Sequence, residues 1–249
     1  MWPFDNAPAA PPPVESKMPA HPFYPLGIEI ANYLANEWSV LTLLGAFAAC
    51  CASVFAVTYV VVMRVRPTMS RGELLTILWF VLCGCIHTFF EGYYVFNFRS
   101  MGNLQSLFGQ LWKEYSLSDS RYLTQDPFVL CMESITAICW GPLSFLVAYM
   151  IVTDSPLRHP LQIIVSLGQL YGDVLYYATS MFDHYIFDIA YCRPEPYYFW
   201  CYYFLMNFFW IVIPLALLVS SVKVSSRAMS ALKAAESTAK KTTRGKKAN

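Results

Sequence analysis

The chain has 249 residues, of which 57% are apolar, 17% aromatic and only 13% charged. A soluble domain carries about 25% charged residues, so this deficit, with a mean hydropathy of +0.42, excludes an ordinary soluble fold and points to an integral membrane protein. The formal net charge of +1, with basic residues scattered among apolar stretches, excludes nucleic acid as a partner.

Residues 1–25 hold eight prolines and no long apolar run. They lack the basic start and apolar core of a cleavable signal peptide and read as a flexible or extended tail. About 20 apolar residues cross a bilayer as a helix, and the stretches near 39–63, 74–98, 127–151, 161–182 and 198–222 qualify. Ser70 and Glu73 have capping-box spacing before the second span. Asp126-Pro127 reads as an N-cap followed by proline at the first helical position of the third. Residues 26–222 thus form the membrane domain, and 223–249 a basic, partly disordered tail. Cys50, Cys51, Cys83, Cys85, Cys131, Cys139 and Cys201 lie in or beside apolar spans, and only Cys192 lies in a loop. Buried free cysteines behave as small hydrophobes, so no disulfide framework is expected.

Arg64, Arg66 and Arg71 crowd one short loop, Arg158 occupies another, and the C-terminal tail adds more Lys and Arg. The opposite side has only Lys17, Arg99, Lys113, Arg121 and Arg193. The positive-inside rule places the C-terminus in the cytoplasm and the N-terminus across the membrane. No internal repeat is visible, and the spans show no paired Gly/Pro breaks, which weighs against a proton-coupled transporter.

Four spans carry polar or ionisable groups where lipid penalises them: His87 and Glu91, Glu133 and Thr136, Gln169 and Asp173, Asn207 and Trp210. At about 1.5 Å rise per residue, all eight lie roughly 9–20 Å from the non-cytoplasmic face. Intervals of three or four put each pair on one helix face. Thr136 is equally explained as packing glue, Trp210 as a core or lipid-facing ring, and Asp173 as the partner of a nearby hydroxyl or amide. Two intramembrane glutamates and a histidine more strongly indicate a functional site.

Two carboxyls and an imidazole in a dry chamber are equipment for proton transfer. A tryptophan face can stabilise a cation, and Asn207 can hold a polar substrate group or orient a carboxyl. The combination suits movement of a carbon–carbon double bond: protonation makes a carbocation, and loss of a different proton makes the isomer. Excluding water keeps the cation from being trapped. Cys83, Cys85 and His87 are close in sequence, but residues two apart on a helix do not share a face, so no metal site is expected. No Gly-rich phosphate loop and no G-x-S-x-G elbow occurs.

The runs Gly84-Cys85-Ile86-His87, Glu91-Gly92, Leu111-Trp112-Lys113-Glu114-Tyr115 and Asp119-Ser120-Arg121-Tyr122 resemble the emopamil-binding protein family. So do Cys131-Met132-Glu133-Ser134-Ile135-Thr136-Ala137, Trp140-Gly141-Pro142-Leu143-Ser144, the stretch Gly168 to Tyr176, Tyr198-Phe199-Trp200 and Met206-Asn207. The resemblance spans residues 25–225 and is closest to the sterol isomerase branch. It implies an all-α membrane protein of five transmembrane helices enclosing an intramembrane polar cavity. The implied enzyme is a cofactor-free cholestenol Δ-isomerase of the endoplasmic reticulum, acting on a Δ8 sterol such as zymostenol. His87, Glu91, Glu133, Asn207 and Trp210 are then the catalytic set. Thr136, Gln169, Asp173 and Tyr115 join as substrate-binding residues. The resemblance also implies that cationic amphiphiles inhibit by mimicking the carbocation. A noncatalytic sterol or cationic amphiphile binder using the same chamber is the alternative. Ala46, Ala49 and Ala52 permit close helix contact and leave a homodimer open. The sequence departs from the family in its Pro-rich start and in the 183–197 loop. Lys246-Lys247-Ala248-Asn249 resembles a dilysine retrieval signal.

Overall fold

The helix starts are set by local chemistry. The computed structural model describes the backbone of residues 21–247 and the side chains of residues 21–240. The Pro-rich stretch up to residue 20 and the last two residues of the dilysine-like end lie outside the described residues. Helix α1 (Val40–Val65) begins where the Ser39 hydroxyl accepts the Thr42 N–H. Helix α2 (Arg71–Cys85) begins at Ser70, which accepts from the Glu73 N–H and donates to its carboxylate at 2.9 Å, the expected capping box. Helix α5 (Pro127–Ile135) begins at Asp126, which accepts from the Val129 N–H, with Pro127 in the first turn. Such caps contribute about 0.5–2 kcal/mol each.

Three π-helical turns interrupt the rods. π1 (Ile86–Glu91) joins α2 to α3 (Gly92–Asn97), and π2 (Thr136–Trp140) joins α5 to α6 (Gly141–Val152). π3 (Tyr198–Leu205) opens the long α8 (Met206–Lys247). Between α3 and α5 the chain forms α4 (Leu107–Tyr115) and two short 3₁₀ turns, and α7 (Arg158–Phe187) precedes π3. Among the described residues every regular element is helical.

Four helical rods are long and apolar enough to cross a membrane: Val40–Val65, Arg71–Asn97, Pro127–Val152 and Tyr198–Lys240. The stretch 161–182, read from sequence as a span, forms most of the 30-residue α7 but does not join these four, because polar residues occupy its buried face. The tail from residue 223 differs from expectation. It continues α8 to Lys247 without a break, since Ala and Lys are strong helix formers and no proline follows Pro214.

Residues 21–25 are likewise docked rather than free. Phe23 is buried against Tyr33, and His21 Nε2 lies 2.6 Å from the Ile28 carbonyl. Beyond them, the chain entering α1 is clamped to α4. Lys113 donates to the Leu34 carbonyl at 2.7 Å, and Gln110 Oε1 accepts from the Glu37 and Trp38 N–H groups at 2.9 Å each.

α7 packs along α8, α2 against α6, and α1 on the outside of α2. Two apolar clusters result. One, beside α4, gathers Tyr94, Trp112, Tyr122, Val129, Tyr176 and Tyr203. The other, nearer Arg158, gathers Val62, Ile77, Phe80, Val147, Ile151 and Val165.

Candidate active site

The polar residues fall between these two clusters on every rod that carries them. His87 and Glu91 lie between Phe80 and Tyr94, Glu133 and Thr136 between Val129 and Val147, and Gln169 and Asp173 between Val165 and Tyr176. Asn207 and Trp210 lie between Tyr203 and Leu217. One layer is therefore common to four helices.

The π turns shape this layer. His87 and Glu91 both belong to π1, Glu133 and Thr136 flank the start of π2, and Asn207 follows the end of π3. A π turn widens the helix and re-aims its side chains, and such turns concentrate at functional sites. Two glycines let the rods approach closely here. A Cβ on Gly141 would collide with the Thr88 hydroxyl, and one on Gly168 with the Trp140 ring.

His87 Nδ1 lies 2.9 and 2.8 Å from the two carboxylate oxygens of Glu91, and Gln169 Nε2 lies 3.0 Å from His87 Nε2. Glu91 and Gln169 thus bracket the two ring nitrogens of His87, one on each side. The Glu133 side chain neighbours both Glu91 and His87. His87 and Glu133 are both buried, at 2% and 5% exposure. The Trp210 ring centroid is 6.2 Å from that of His87 and 5.3 Å from that of Trp79. The Trp210 indole N–H is buried without a protein partner.

The α4 side supplies the cover. Tyr122 donates to Glu133 Oε1 at 2.7 Å. Burial, with Glu133 next in effect, pushes the Tyr122 phenol well above its ordinary value, so the hydroxyl stays a donor. Asn207 donates to the Tyr115 hydroxyl at 2.9 Å and to the Tyr203 carbonyl at 2.7 Å. Burial likewise raises the Tyr115 phenol. The Tyr115 and Tyr122 rings are 5.5 Å apart, so these two hydrogen-bonded groups adjoin.

A residue-level likeness to known proteins accompanies this geometry. A profile of the EBP family, described as EXPERA (EXPanded EBP superfamily), matches residues 107–221. The chain is 37% identical to a rat (Rattus norvegicus) protein named 3-beta-hydroxysteroid-Delta(8),Delta(7)-isomerase, over 86% of this chain and 93% of that one. It is 36% identical to the guinea-pig (Cavia porcellus) protein of the same name and 35% identical to that of the mouse (Mus musculus), with the same coverage. The chain belongs to the EBP family.

The layer joins His87, Glu91, Gln169, Glu133 and Trp210 in one group, and Asn207 and Tyr115 in an adjacent one. Two residues singled out in the sequence stand apart in their bonding. The Thr136 hydroxyl donates to the Met132 carbonyl of its own helix at 2.8 Å. Asp173 makes none of these contacts, and its Oδ2 is buried without a protein partner. Tyr122 is the residue that sequence reasoning missed, because it lies in a short turn just before the third span, outside the apolar stretches. Its neighbours were the available signal. Asp119 and Arg121, charged residues in a tight Asp-Ser-Arg-Tyr run, form a buried ion pair at 2.7 Å. The Arg121 guanidinium stacks over Tyr176 and Tyr191 at 4.9 and 5.3 Å. Burial opposes the Arg121 charge, but the Asp119 carboxylate outweighs it, and the guanidinium is held more firmly protonated than usual. Among the described residues no group of three or more His, Cys, Asp or Glu side chains is arranged to hold a metal.

Proposed function

We propose that this chain is a sterol isomerase that moves a ring double bond from the Δ8 to the Δ7 position. The observation that carries the reading is the buried His87–Glu91 pair beside Glu133, in a chain whose relatives bear that activity in their names. Holding a neutral sterol needs no acid–base trio, so the trio favours turnover over mere binding.

In this reading a proton leaves the His87–Glu91 arm for one alkene carbon, and the adjacent carbon becomes a cation. The Trp210 face stabilises that cation. A proton lost from a different carbon goes to the second arm, Glu133, which Tyr122 orients. Asn207 and Tyr115 hold the polar end of the site. Gln169 fixes the His87 ring, and Thr136 and Asp173 complete the lining. No cofactor takes part. A cationic amphiphile would occupy the same place as the cation and inhibit.

α7 is the fifth span in this reading. Its exposed side bears Ile164, Leu167, Tyr171 and Val174, a surface suited to lipid, and the five spans enclose a chamber that opens to admit sterol from the bilayer. The membrane domain covers 26–222, with the basic end of α8 on the cytoplasmic side and the N-terminus in the lumen of the endoplasmic reticulum. The outward-facing Ala49 and Ala52 of α1 offer a surface for a second copy.

The test is direct. Purified protein in liposomes receives zymostenol, and the sterols are profiled by mass spectrometry. Appearance of the Δ7 isomer supports the reading, whereas saturable binding with no conversion contradicts it.

A further inference from the structure

α7 is inverted relative to a helix of a soluble protein. Its buried face carries Gln162, Ser166 and Gln169, at 2%, 0% and 5% exposure. With His159 before them and Asp173 after, the polar positions recur at intervals of three and four, which keeps them on one helix face. Helix packing in lipid uses isolated polar contacts. Here a polar line runs from half-buried His159 to Gln169, whose amide lies 3.0 Å from His87.

Bonding capacity is left over along this line. Ser166 Oγ and Gln162 Oε1 are buried without protein partners, as is Ser144 Oγ of α6. Buried polar groups are nearly always paired with protein or ordered water. Gln162 gives its amide N–H to the Leu217 carbonyl at 3.3 Å, and the Tyr177 hydroxyl donates to the Phe204 carbonyl at 2.7 Å. These two contacts set the register of α7 against α8 and bring Ser166 level with Pro214, the proline inside α8. Pro214 has no N–H to give, so the Trp210 carbonyl one turn earlier lacks its helical donor. At the far end His159 Nδ1 lies 3.1 Å from Ser221 Oγ.

We propose that the seam between α7 and α8 is a proton path linking the aqueous edge at His159 to His87, through Gln162, Ser166 and Gln169. It rests on the isomerase reading and adds how that site exchanges its proton with water. Neighbouring positions are about 5–6 Å apart at Cβ, so the proton moves along bridging waters, each held by two of these groups, and the Gln162 and Gln169 amides orient those waters without carrying the proton themselves. Isomerisation forms one C–H bond and breaks another, with no net gain or loss of protons. The proton taken by Glu133 can return internally to the His87–Glu91 pair. The path lets it exchange with water between turnovers.

Two readouts on the full-length protein in detergent test this. The first needs no catalysis: exchange of the His87 ring proton with deuterated water, followed by NMR in protein carrying ¹⁵N-labelled histidine. Only four histidines are present. Ser166→Ala removes a hydroxyl that bonds nothing in the protein, so the fold survives, and Gln162→Leu interrupts the line one turn away. Both variants are expected to slow His87 exchange severalfold. The second readout is the deuterium content of the sterol formed in deuterated water, expected to fall in the same variants. Exchange at the wild-type rate in both variants overturns the path, as does slower turnover with unchanged deuterium content. Slowed exchange in a protein that converts no sterol leaves the path standing and overturns the isomerase reading instead.

Discussion

Tyr122, from a turn outside the membrane spans, reaches Glu133, inside one, with a hydrogen bond of 2.7 Å. It arrives there because Asp119 and Arg121 lock the turn against α7. Arg121 donates to the Thr179 hydroxyl at 2.9 Å and to the Tyr176 carbonyl at 3.3 Å. Hydrogen bonds to a charged acceptor contribute about 1.5–3 kcal/mol. Tyr122→Phe keeps the ring and removes the hydroxyl, and should lower kcat by about ten- to a hundredfold with little change in KM. Steady-state kinetics check it, and a change confined to KM would assign Tyr122 to substrate binding instead.

The Trp210 ring lies beside His87, with centroids 6.2 Å apart and planes tilted by 59°. Cation–π contacts in a desolvated site are worth about 2 kcal/mol. Trp210→Leu should slow turnover about thirtyfold, and Trp210→Phe, which keeps a ring, should slow it less. Equal losses in the two variants would remove the cation-stabilising role.

Gly141 is where α6 touches π1. A Cβ there would collide with the Thr88 hydroxyl and lie 3.0 Å from the Thr88 backbone nitrogen. Gly141→Ala must displace the turn that holds His87. Overpacking of this kind costs about 1–3 kcal/mol. A lower thermal midpoint in detergent, with a loss of activity at temperatures where the variant is still folded, is the expected result.

Glu114 accepts a hydrogen bond from Tyr202 at 3.0 Å on the α4 side. Burial pushes its carboxyl above the usual range, and the Tyr202 bond and Arg193 only partly reverse this. The folded protein therefore holds this proton more tightly than the unfolded chain does. Its stabilising contribution is full below the ordinary glutamate value of about 4.3 and is lost as pH rises through the raised folded value. Glu114→Gln should flatten the decline of thermal stability across that window. An unchanged slope would mean that other groups carry it.

Much of this architecture was readable in the residues. Ser70, Glu73, Asp126 and Pro127 mark helix starts because capping is local chemistry. The i,i+4 interval of His87 and Glu91 placed them on one helix face, and their contact is made within the π turn that holds both. The π turns were not readable, since Ile86–Glu91 and Thr136–Trp140 have no composition of their own and arise from packing between rods. Nor was the Tyr122–Glu133 bond, which joins a turn to a span through tertiary structure. The apolar residues of α7 suggested a span, and the structure adds which side they take: Ile164, Leu167 and Val174 point outward while Gln162, Ser166 and Gln169 are buried, a sidedness set by packing that an averaged hydropathy does not carry.

The proton-transfer role of the layer is tested most directly by one substitution. Glu133→Gln preserves size and hydrogen bonding but cannot accept a proton. Wild-type and variant protein would be given zymostenol in liposomes and the product sterols quantified by mass spectrometry, with folding checked by thermal unfolding. A general acid–base residue contributes about 10²–10⁴-fold, so the expected result is a loss of that size in a folded variant that still binds sterol. Conversion by Glu133→Gln at the wild-type rate would contradict a proton-transfer role for Glu133.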